Sequence, residues 1–304
     1  MTNAHKLVTS LFVVVFTVSC NQQSGNDPVS TDSESASTAE HKEATIDYQA
    51  QVDKDIANFK DFYEKKFPNV KVTDFKDGAY AIDEATREQW LDIEEFPPYE
   101  LSVDEGEEFY AIAFKNGKNY ADCFENGGLG IRQNYPHFDE QAKQVITLEL
   151  AVNQCRESNG ESALEFGSGE LAAISAYMAY SSRDNIFALK VSSAGAYDAY
   201  LNGKEFFYSK RGQLNFACAD CHLKISGTNL RADVLSPAIG HPTSMPVYRS
   251  NWGELGTIHK RYRECNKNVR SEPLAFQSES YRNLEFFQTL MSTGFVVNGP
   301  SSRK

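Results

Sequence analysis

Apolar residues recur at helical spacing early in the body of the chain, between residues 46 and 66. One side of this predicted helix carries Ile56, Phe59 and Phe62. Alternating apolar positions are weaker and shorter, near "KVTDF" at 71–75 and "FALKV" at 187–191, where the pattern favours short strands. Most other apolar positions also follow helical spacing, in short segments separated by long irregular stretches. We therefore expect a mainly α fold.

The strongest apolar run, from Leu11 to Val18, lies beside the N-terminus. It follows a weakly basic start and precedes Cys20, which is the pattern of a bacterial export signal ending at a lipobox. We expect residues 1–19 to be a signal peptide and Cys20 to be the lipid-modified first residue of the mature protein. The threonine three residues before Cys20 departs from the usual leucine, so ordinary cleavage nearby is the alternative. Residues 20–45 are polar and rich in serine and threonine, which predicts a flexible tether.

The net charge of the chain restricts the classes of partner that we expect it to bind. The net charge of −12 and the pI near 5.0 disfavour nucleic acid and favour basic partners. Beyond the N-terminus no segment reaches the roughly 18 apolar residues of a membrane span, so we expect membrane contact only through the lipid anchor. Export also implies an oxidising compartment, in which an odd number of cysteines leaves one thiol without an intrachain partner. The cysteines beyond the signal are Cys123, Cys155, Cys218, Cys221 and Cys265.

The segment "CADCH" has the spacing of a c-type haem attachment site. Cys218 and Cys221 would form thioethers with one porphyrin, and His222 would ligate the iron from the proximal side. A redox dithiol is the alternative for C-x-x-C, but the histidine and the absence of a thioredoxin-like βαβ pattern favour one covalent haem c.

The chain contains an internal repeat. "YADCF" at 120–124 matches "CADCH", and Pro136 and Pro246 each begin a triplet that is followed, after sixteen residues, by a cysteine. A serine follows each cysteine by thirteen residues, Ser168 or Ser278, and opens a segment of helical apolar spacing. These landmarks predict two tandem cytochrome c-like domains, at 46–185 and 186–304.

The first copy has lost the residues that hold haem. Tyr120 replaces a thioether cysteine and Phe124 replaces the proximal histidine, so we expect this domain to lack haem. Cys123 and Cys155 then remain in an oxidising compartment without a cofactor between them. We expect them to form a disulfide, which requires the first domain to have closed around the missing group.

Cys265 is the odd thiol, and it lies in a basic stretch of an acidic protein. Its neighbours are Lys260, Arg261, Arg263, Lys267, Arg270 and His259. Cations lower the pKa of a thiol and favour the thiolate, which is both nucleophile and iron ligand. Arg261 is four residues away and shares a helical face with Cys265, where it could hold an oxyanion. Met245 is the main alternative as distal ligand, and His241 and His259 are weaker ones.

Four stretches resemble the SoxA family of sulfur-oxidising c-type cytochromes. They are "YPHFDEQAKQVITLELAVNQCR", "CADCH", "RYRECNKNVR" and "LEFFQTLMSTGFVVNGPSSRK". The resemblance covers residues 50–304, and within the family the chain is similar to the monohaem form. It implies that Cys265 is the distal iron ligand, modified as a persulfide, and that Arg261 takes part in substrate binding.

The same resemblance implies an activity and partners. The activity is oxidative joining of thiosulfate to a cysteine of a SoxYZ carrier, an L-cysteine S-thiosulfotransferase reaction in the periplasm. Electrons would leave through the haem, in part to a small SoxX cytochrome bound as a heterodimer. Two alternatives stay open: a thiosulfate dehydrogenase that forms tetrathionate, and a lipid-anchored electron carrier with His222 and Met245 as ligands.

Overall fold

The computed structural model describes residues 47–304, so the predicted signal peptide, Cys20 and tether lie outside the described residues. Within this part no helix is both long and apolar enough to cross a membrane. The α-helices are α1 (Tyr48–Lys66), α2 (Glu84–Glu95), α3 (Glu100–Ala111), α4 (Leu148–Ser158), α5 (Gly169–Tyr180), α6 (Ala194–Tyr208), α7 (Ile258–Asn268) and α8 (Glu279–Met291). The mainly α prediction is confirmed for these residues, which form one compact unit.

The strands are short, and all but the last lie between helices along the chain. They are β1 (His137–Asp139), β2 (Gln144–Ile146), β3 (Asn229–Leu230), β4 (Asp233–Val234), β5 (Val247–Arg249), β6 (Glu254–Gly256) and β7 (Ser301–Arg303). β1–β2 and β3–β4 are antiparallel hairpins, whereas β5 pairs with β6 antiparallel and with β7 parallel.

Both strand predictions were wrong. Residues 72–75 begin a 3₁₀ segment, Val72–Ala81, and residues 187–191 form no strand. The alternating apolar residues in both segments are buried or partly buried, but they do not form the backbone hydrogen bonds of a β-ladder. Phe187 and Val191 are fully buried, and the β-pairing beside them is a single bridge between Ile186 and Val296. Five alternating residues cannot distinguish a strand from a buried irregular segment.

Helix α1 begins where the apolar spacing predicts. Asp47 caps it by accepting a hydrogen bond from the Ala50 amide at 3.0 Å. Its inner side packs into the largest hydrophobic cluster, which is built mainly from residues 187–297. α1 therefore lies against the second repeat, although its residues fall in the range assigned to the first domain.

The repeat is visible as a constant spacing of elements. α4 and α7 begin at Leu148 and Ile258, 110 residues apart, and each follows a two-stranded hairpin. α5 and α8 begin after Ser168 and Ser278 at the same spacing. The equivalent elements therefore have equivalent neighbours along the chain, as a duplication predicts.

Each repeat contains one close crossing of two helices, α3 with α5 and α6 with α8. The crossing residue is a glycine in both. A Cβ atom at Gly106 would lie 2.1 Å from the Ala173 carbonyl oxygen, and one at Gly203 would lie 2.0 Å from that of Asn283. Only glycine allows such an approach of two backbones.

Equivalent segments also join the two repeats to each other. Backbone hydrogen bonds link Phe187 to Phe295 at 2.9 Å and Val297 to Asn185 at 2.8 Å, in antiparallel directions. Ile186 and Val296, which pair between them, occupy the same repeat position. The interface thus has an approximate two-fold axis that passes near this pair.

A buried polar cluster accompanies this interface. Ser175 donates to Glu149 at 2.8 Å in one repeat, and His259 Nε2 lies 3.3 Å from Glu285 Oε2 at the equivalent positions of the other. Arg132 lies 3.8 Å from Glu285 and is also buried. Burial and the charge of Glu285 raise the pKa of Glu149, which favours its neutral form beside Glu285.

Candidate haem and sulfur site

The last three residues of "CADCH" begin a π-helical turn, Asp220–Lys224. Asp220 begins the turn by accepting a hydrogen bond from the Ala217 amide at 2.9 Å. Helix α1 supports its other end: Tyr63 donates to the carbonyl of His222 at 2.6 Å, and Lys66 donates to that of Lys224 at 2.6 Å. π-helical turns of this kind are frequent at functional sites.

The orientation of His222 is set by its surroundings. Its Nδ1 lies 2.9 Å from the backbone oxygen of Ser236, so the Nδ1–H tautomer donates there and Nε2 is left as the ligating nitrogen. His241 packs against this ring nearly at a right angle, with centroids 4.6 Å apart. The ring is therefore held on two sides before any ligand binds.

Cys265, on helix α7, faces His222 and Arg261. Burial acts to raise the pKa of the Cys265 thiol, but the charge of Arg261 and the hydrogen bond and charge of His222 outweigh it and lower the pKa to about 7. Arg261 is itself fixed by an ion pair with Glu264, three residues along the same helix. The thiolate that an iron ligand or a nucleophile requires is thus stabilised by the chain.

Cys218 differs from Cys265 in its electrostatics. Burial raises its pKa to about 11, although Arg211, whose guanidinium lies 3.6 Å from the sulfur, acts in the opposite direction. Two thiols in one turn, an oriented histidine and a thiolate facing it are the donor set of a covalently attached haem with His and Cys ligands. The residues present fit that group.

The three alternative distal ligands each have other contacts, although His241 lies beside the ring of His222. His241 Nε2 lies 2.8 Å from the Ser236 hydroxyl, and burial lowers the pKa of His241 well below its usual value. The two ring nitrogens of His259 face the Gln277 amide and Glu285. Met245 belongs to the hydrophobic core of the second repeat. Cys265 is the candidate that the electrostatics bring together with His222.

The equivalent place in the first repeat is filled. Tyr120 is fully buried and stacks on Tyr110 with centroids 5.3 Å apart, and Phe124 packs against the same cluster. The expected disulfide is present: Cys123 is bonded to Cys155, with Cα atoms 5.8 Å apart. Cys155 and Cys265 occupy equivalent positions of α4 and α7.

The structure brings together Cys218, Cys221, His222, Cys265 and Arg261, and sequence reasoning missed several of their neighbours. Of these, Tyr63 precedes His222 by 159 residues, so no local pattern connects it with "CADCH". Ser236 follows His222 by 14 residues, but it lies in an irregular segment that has no pattern to predict its contact. Arg249 could have been found, since it stands 110 residues after Asp139 and reverses that charge.

Residues 105–187 match the protein-family model described as "SoxA/TsdA, cytochrome c domain". The L-cysteine S-thiosulfotransferase subunit SoxA of Chlorobaculum tepidum is 52% identical over 269 residues, 88% of this chain and 94% of the relative. The protein of the same name from Allochromatium vinosum is 48% identical over 257 residues, 84% of this chain and 91% of the relative. The chain belongs to the SoxA family.

A solved structure agrees with this assignment. The crystal structure of SoxXA from P. pantotrophus aligns with a TM-score of 0.66 and 27% identity, covering 74% of this chain and 86% of the other. The family prediction and the predicted enzyme class are therefore confirmed. The match to a cytochrome c family implies a covalently bound haem c, and the attachment motif lies outside the matched residues, at 218–222.

Proposed function

We propose that this SoxA protein oxidatively joins thiosulfate to a cysteine of a SoxYZ-type carrier, with Cys265 and Arg261 at the centre of the reaction. The observation that carries the proposal is that the Cys265 thiol lies beside His222 and Arg261, which lower its pKa. The overall change is that a carrier thiol and thiosulfate form a cysteine S–S–SO₃⁻ group and release one proton and two electrons. The S–S bond formed links the carrier sulfur to the outer sulfur of thiosulfate.

In this proposal Cys218, Cys221, His222 and Cys265 would hold a single haem c, which would supply a one-electron acceptor. Ser236 keeps His222 in the ligating tautomer. Because two electrons leave, a second acceptor is needed, and a SoxX-type cytochrome would provide it as a heterodimer partner.

Arg261 has two roles. Its charge favours the thiolate of Cys265, and its guanidinium can hold the sulfonate oxygens of thiosulfate by charge-assisted hydrogen bonds. Thiosulfate is a dianion, so a cation beside the reacting sulfur both concentrates and orients it. The Cys265 thiolate would first join the outer sulfur of thiosulfate with the loss of two electrons. A carrier thiolate would then attack that outer sulfur by disulfide exchange, which forms the carrier S–S–SO₃⁻ group and releases the Cys265 thiolate.

The first repeat is assigned no haem. Tyr120 and Phe124 stand in place of a thioether cysteine and the proximal histidine, and Cys155, equivalent to Cys265, is consumed in a disulfide. We propose the domain division 46–185 and 186–304 for the two cytochrome c-like units. The first unit then contributes the buried interface on which α7 and α8 rest.

Export and anchoring complete the proposal. Residues 1–19 would direct the chain to the periplasm, and a lipid on Cys20 would hold it at a membrane surface by the 20–45 tether. A carrier cysteine on a mobile arm would then have to reach the thiol of Cys265.

The first experiment is electron paramagnetic resonance of the oxidised haem protein, wild type beside Cys265→Met. A low-spin thiolate-type signal that the substitution removes would support Cys265 as ligand. Met ligation should also raise the reduction potential. A methionine-type signal that is the same in both proteins would contradict the proposal and favour an electron carrier with His222 and Met245.

A turnover assay separates the two enzymes. Purified protein with its SoxX-type partner is given thiosulfate with and without a carrier that bears a reactive cysteine. Mass increase of the carrier by a thiosulfate group supports the transferase. Tetrathionate formed at the same rate without the carrier would instead indicate a thiosulfate dehydrogenase.

A further inference from the structure

Arg249 ends strand β5, on the same sheet that leads into helix α7. Its equivalent in the first repeat is Asp139, which ends β1 and accepts two backbone hydrogen bonds, from Gln141 and Ala142. The equivalent of Arg261 is Ala151. The repeat that carries the reactive cysteine therefore has two arginines where the other has an acid and an alanine.

A chain of polar contacts places Arg249 beside the sulfur site. Arg249 Nε donates to Asn251 Oδ1, and Asn251 Nδ2 donates to Glu264 Oε1 at 3.4 Å. Glu264 in turn forms the ion pair with Arg261. Burial and the charge of Arg261 accordingly lower the pKa of Arg249, because the two half-buried guanidinium groups repel each other. Repulsion of this kind is relieved when an anion binds between the two cations.

The side chain is held with its donor groups free. Arg249 Nε donates to Asn251 Oδ1 at 3.2 Å, and the guanidinium lies 5.4 Å from the centre of the Trp252 ring. Within residues 47–304 the two terminal nitrogens of Arg249 make no hydrogen bond, although the arginine fork can donate two parallel bonds to an oxyanion.

We propose that Arg249 is a substrate-positioning residue: with Arg261 it holds the sulfonate end of the thiosulfate dianion, so that the outer sulfur points to Cys265. The inference rests on the proposed function and adds the second cation that a dianion requires. Glu264 fixes Arg261 by an ion pair, and Asn251 and Trp252 fix Arg249, so both cations are ordered before the anion arrives.

The test uses the haem-loaded protein in complex with its cytochrome partner and measures the KM for thiosulfate and kcat for Arg249→Met, Arg249→Lys and wild type. Loss of one charge-assisted hydrogen bond predicts a KM about tenfold higher or more for Arg249→Met, with a smaller change in kcat. Arg249→Lys should recover part of the loss, because it keeps the charge and loses the fork.

Arg263→Met is the matched control. It removes one positive charge from α7, but Arg263 stacks on Phe276 and bonds to the Leu274 carbonyl, and we expect its KM to stay within twofold of wild type. A second readout is thiosulfate affinity without any carrier, from the change in the haem absorption spectrum.

The outcomes are distinct. Unchanged KM and affinity in Arg249→Met, with an active wild type, would overturn this inference and leave the proposed function intact. An equal loss in Arg263→Met would also overturn it, since only general surface charge would then be involved. A wild type that does not turn over thiosulfate would overturn the proposed function itself, and this inference with it.

Discussion

Helices α4 and α7 occupy equivalent places in the two repeats, and each carries a cysteine at the same position. In α4 the cysteine is bonded to Cys123 and its surroundings are aromatic. In α7 the cysteine is free and faces His222 and Arg261. The backbone framework is the same, so the difference in chemistry comes from a few side chains placed on it.

The two repeats also treat the space near the motif differently. In the first, Tyr120 packs edge-on against Phe114 at 4.9 Å and stacks on Tyr110, and these rings belong to a hydrophobic core. In the second, Cys218 and His222 are partly exposed, although Cys218 also packs against the largest hydrophobic cluster. Both repeats therefore have a packed core, and the second keeps a cysteine and a histidine partly accessible beside it.

The largest expected effect comes from copying the first motif into the second. Cys218→Tyr combined with His222→Phe changes "CADCH" to "YADCF" and should reduce covalent haem from one per chain to none, because no thioether pair or proximal ligand remains. Intact-protein mass and the haem absorption of the denatured protein measure it. Haem that persists in the double variant would assign a haem site to the first repeat.

The next largest effect concerns the buried interface. Glu285→Ala leaves Arg132 buried without its counter-charge and should lower the free energy of unfolding by about 3–5 kcal/mol. The equivalent change, Ser175→Ala, removes one hydrogen bond to Glu149 and should cost about 1 kcal/mol. Urea unfolding measures the free energy of unfolding of both variants. Equal losses would show that Ser175 and Glu285, at equivalent positions, contribute equally to stability.

Removal of the disulfide should have an intermediate effect. Cys123→Ser with Cys155→Ser opens a link between residues separated by 32 positions, which predicts a loss of about 3–4 kcal/mol in unfolding free energy. Haem content should not change, because the haem residues lie in the other repeat. Addition of a reductant should destabilise the wild type and leave the variant unaffected; any further loss in the variant would point to a second bond.

The smallest effect is expected for the phenol of Tyr120. Tyr120→Phe loses the hydrogen bond from Arg156, 2.9 Å long, but keeps the buried ring, so about 1 kcal/mol of unfolding free energy should be lost. Tyr110→Phe, which loses a bond to the Gly127 carbonyl, is the matched comparison. A loss above about 3 kcal/mol in Tyr120→Phe would mean that the hydrogen bond from Arg156, rather than the packing of the ring, provides most of the stability at this position.

The sequence predicts the parts of this structure that depend on spacing. The repeat, the cysteine pairing and the starts of α5 and α8 all follow from landmarks at constant separation. The packing partner of α1 does not, because amphipathic spacing identifies a buried side without saying what covers it. The support that Tyr63 gives to His222 is therefore visible only in the structure.

Charge at the site is predicted only in part. The basic stretch around Cys265 indicates a lowered thiol pKa, but it does not distinguish Arg261, which faces the sulfur, from Arg263, which stacks on Phe276. Arg249 lies on a different element and enters the site through the hairpin. Such a residue can be inferred from the sequence only by comparing equivalent repeat positions.

The pairing of Ile186 with Val296 has a consequence for how the protein responds to dilution. Surfaces that meet about a two-fold axis are those by which separate identical subunits form dimers, and such dimers dissociate as their concentration falls. Here both partners belong to one polypeptide, so each meets the other at a fixed effective concentration. The first repeat is in this sense a permanently attached subunit, and the midpoint of unfolding should be independent of protein concentration.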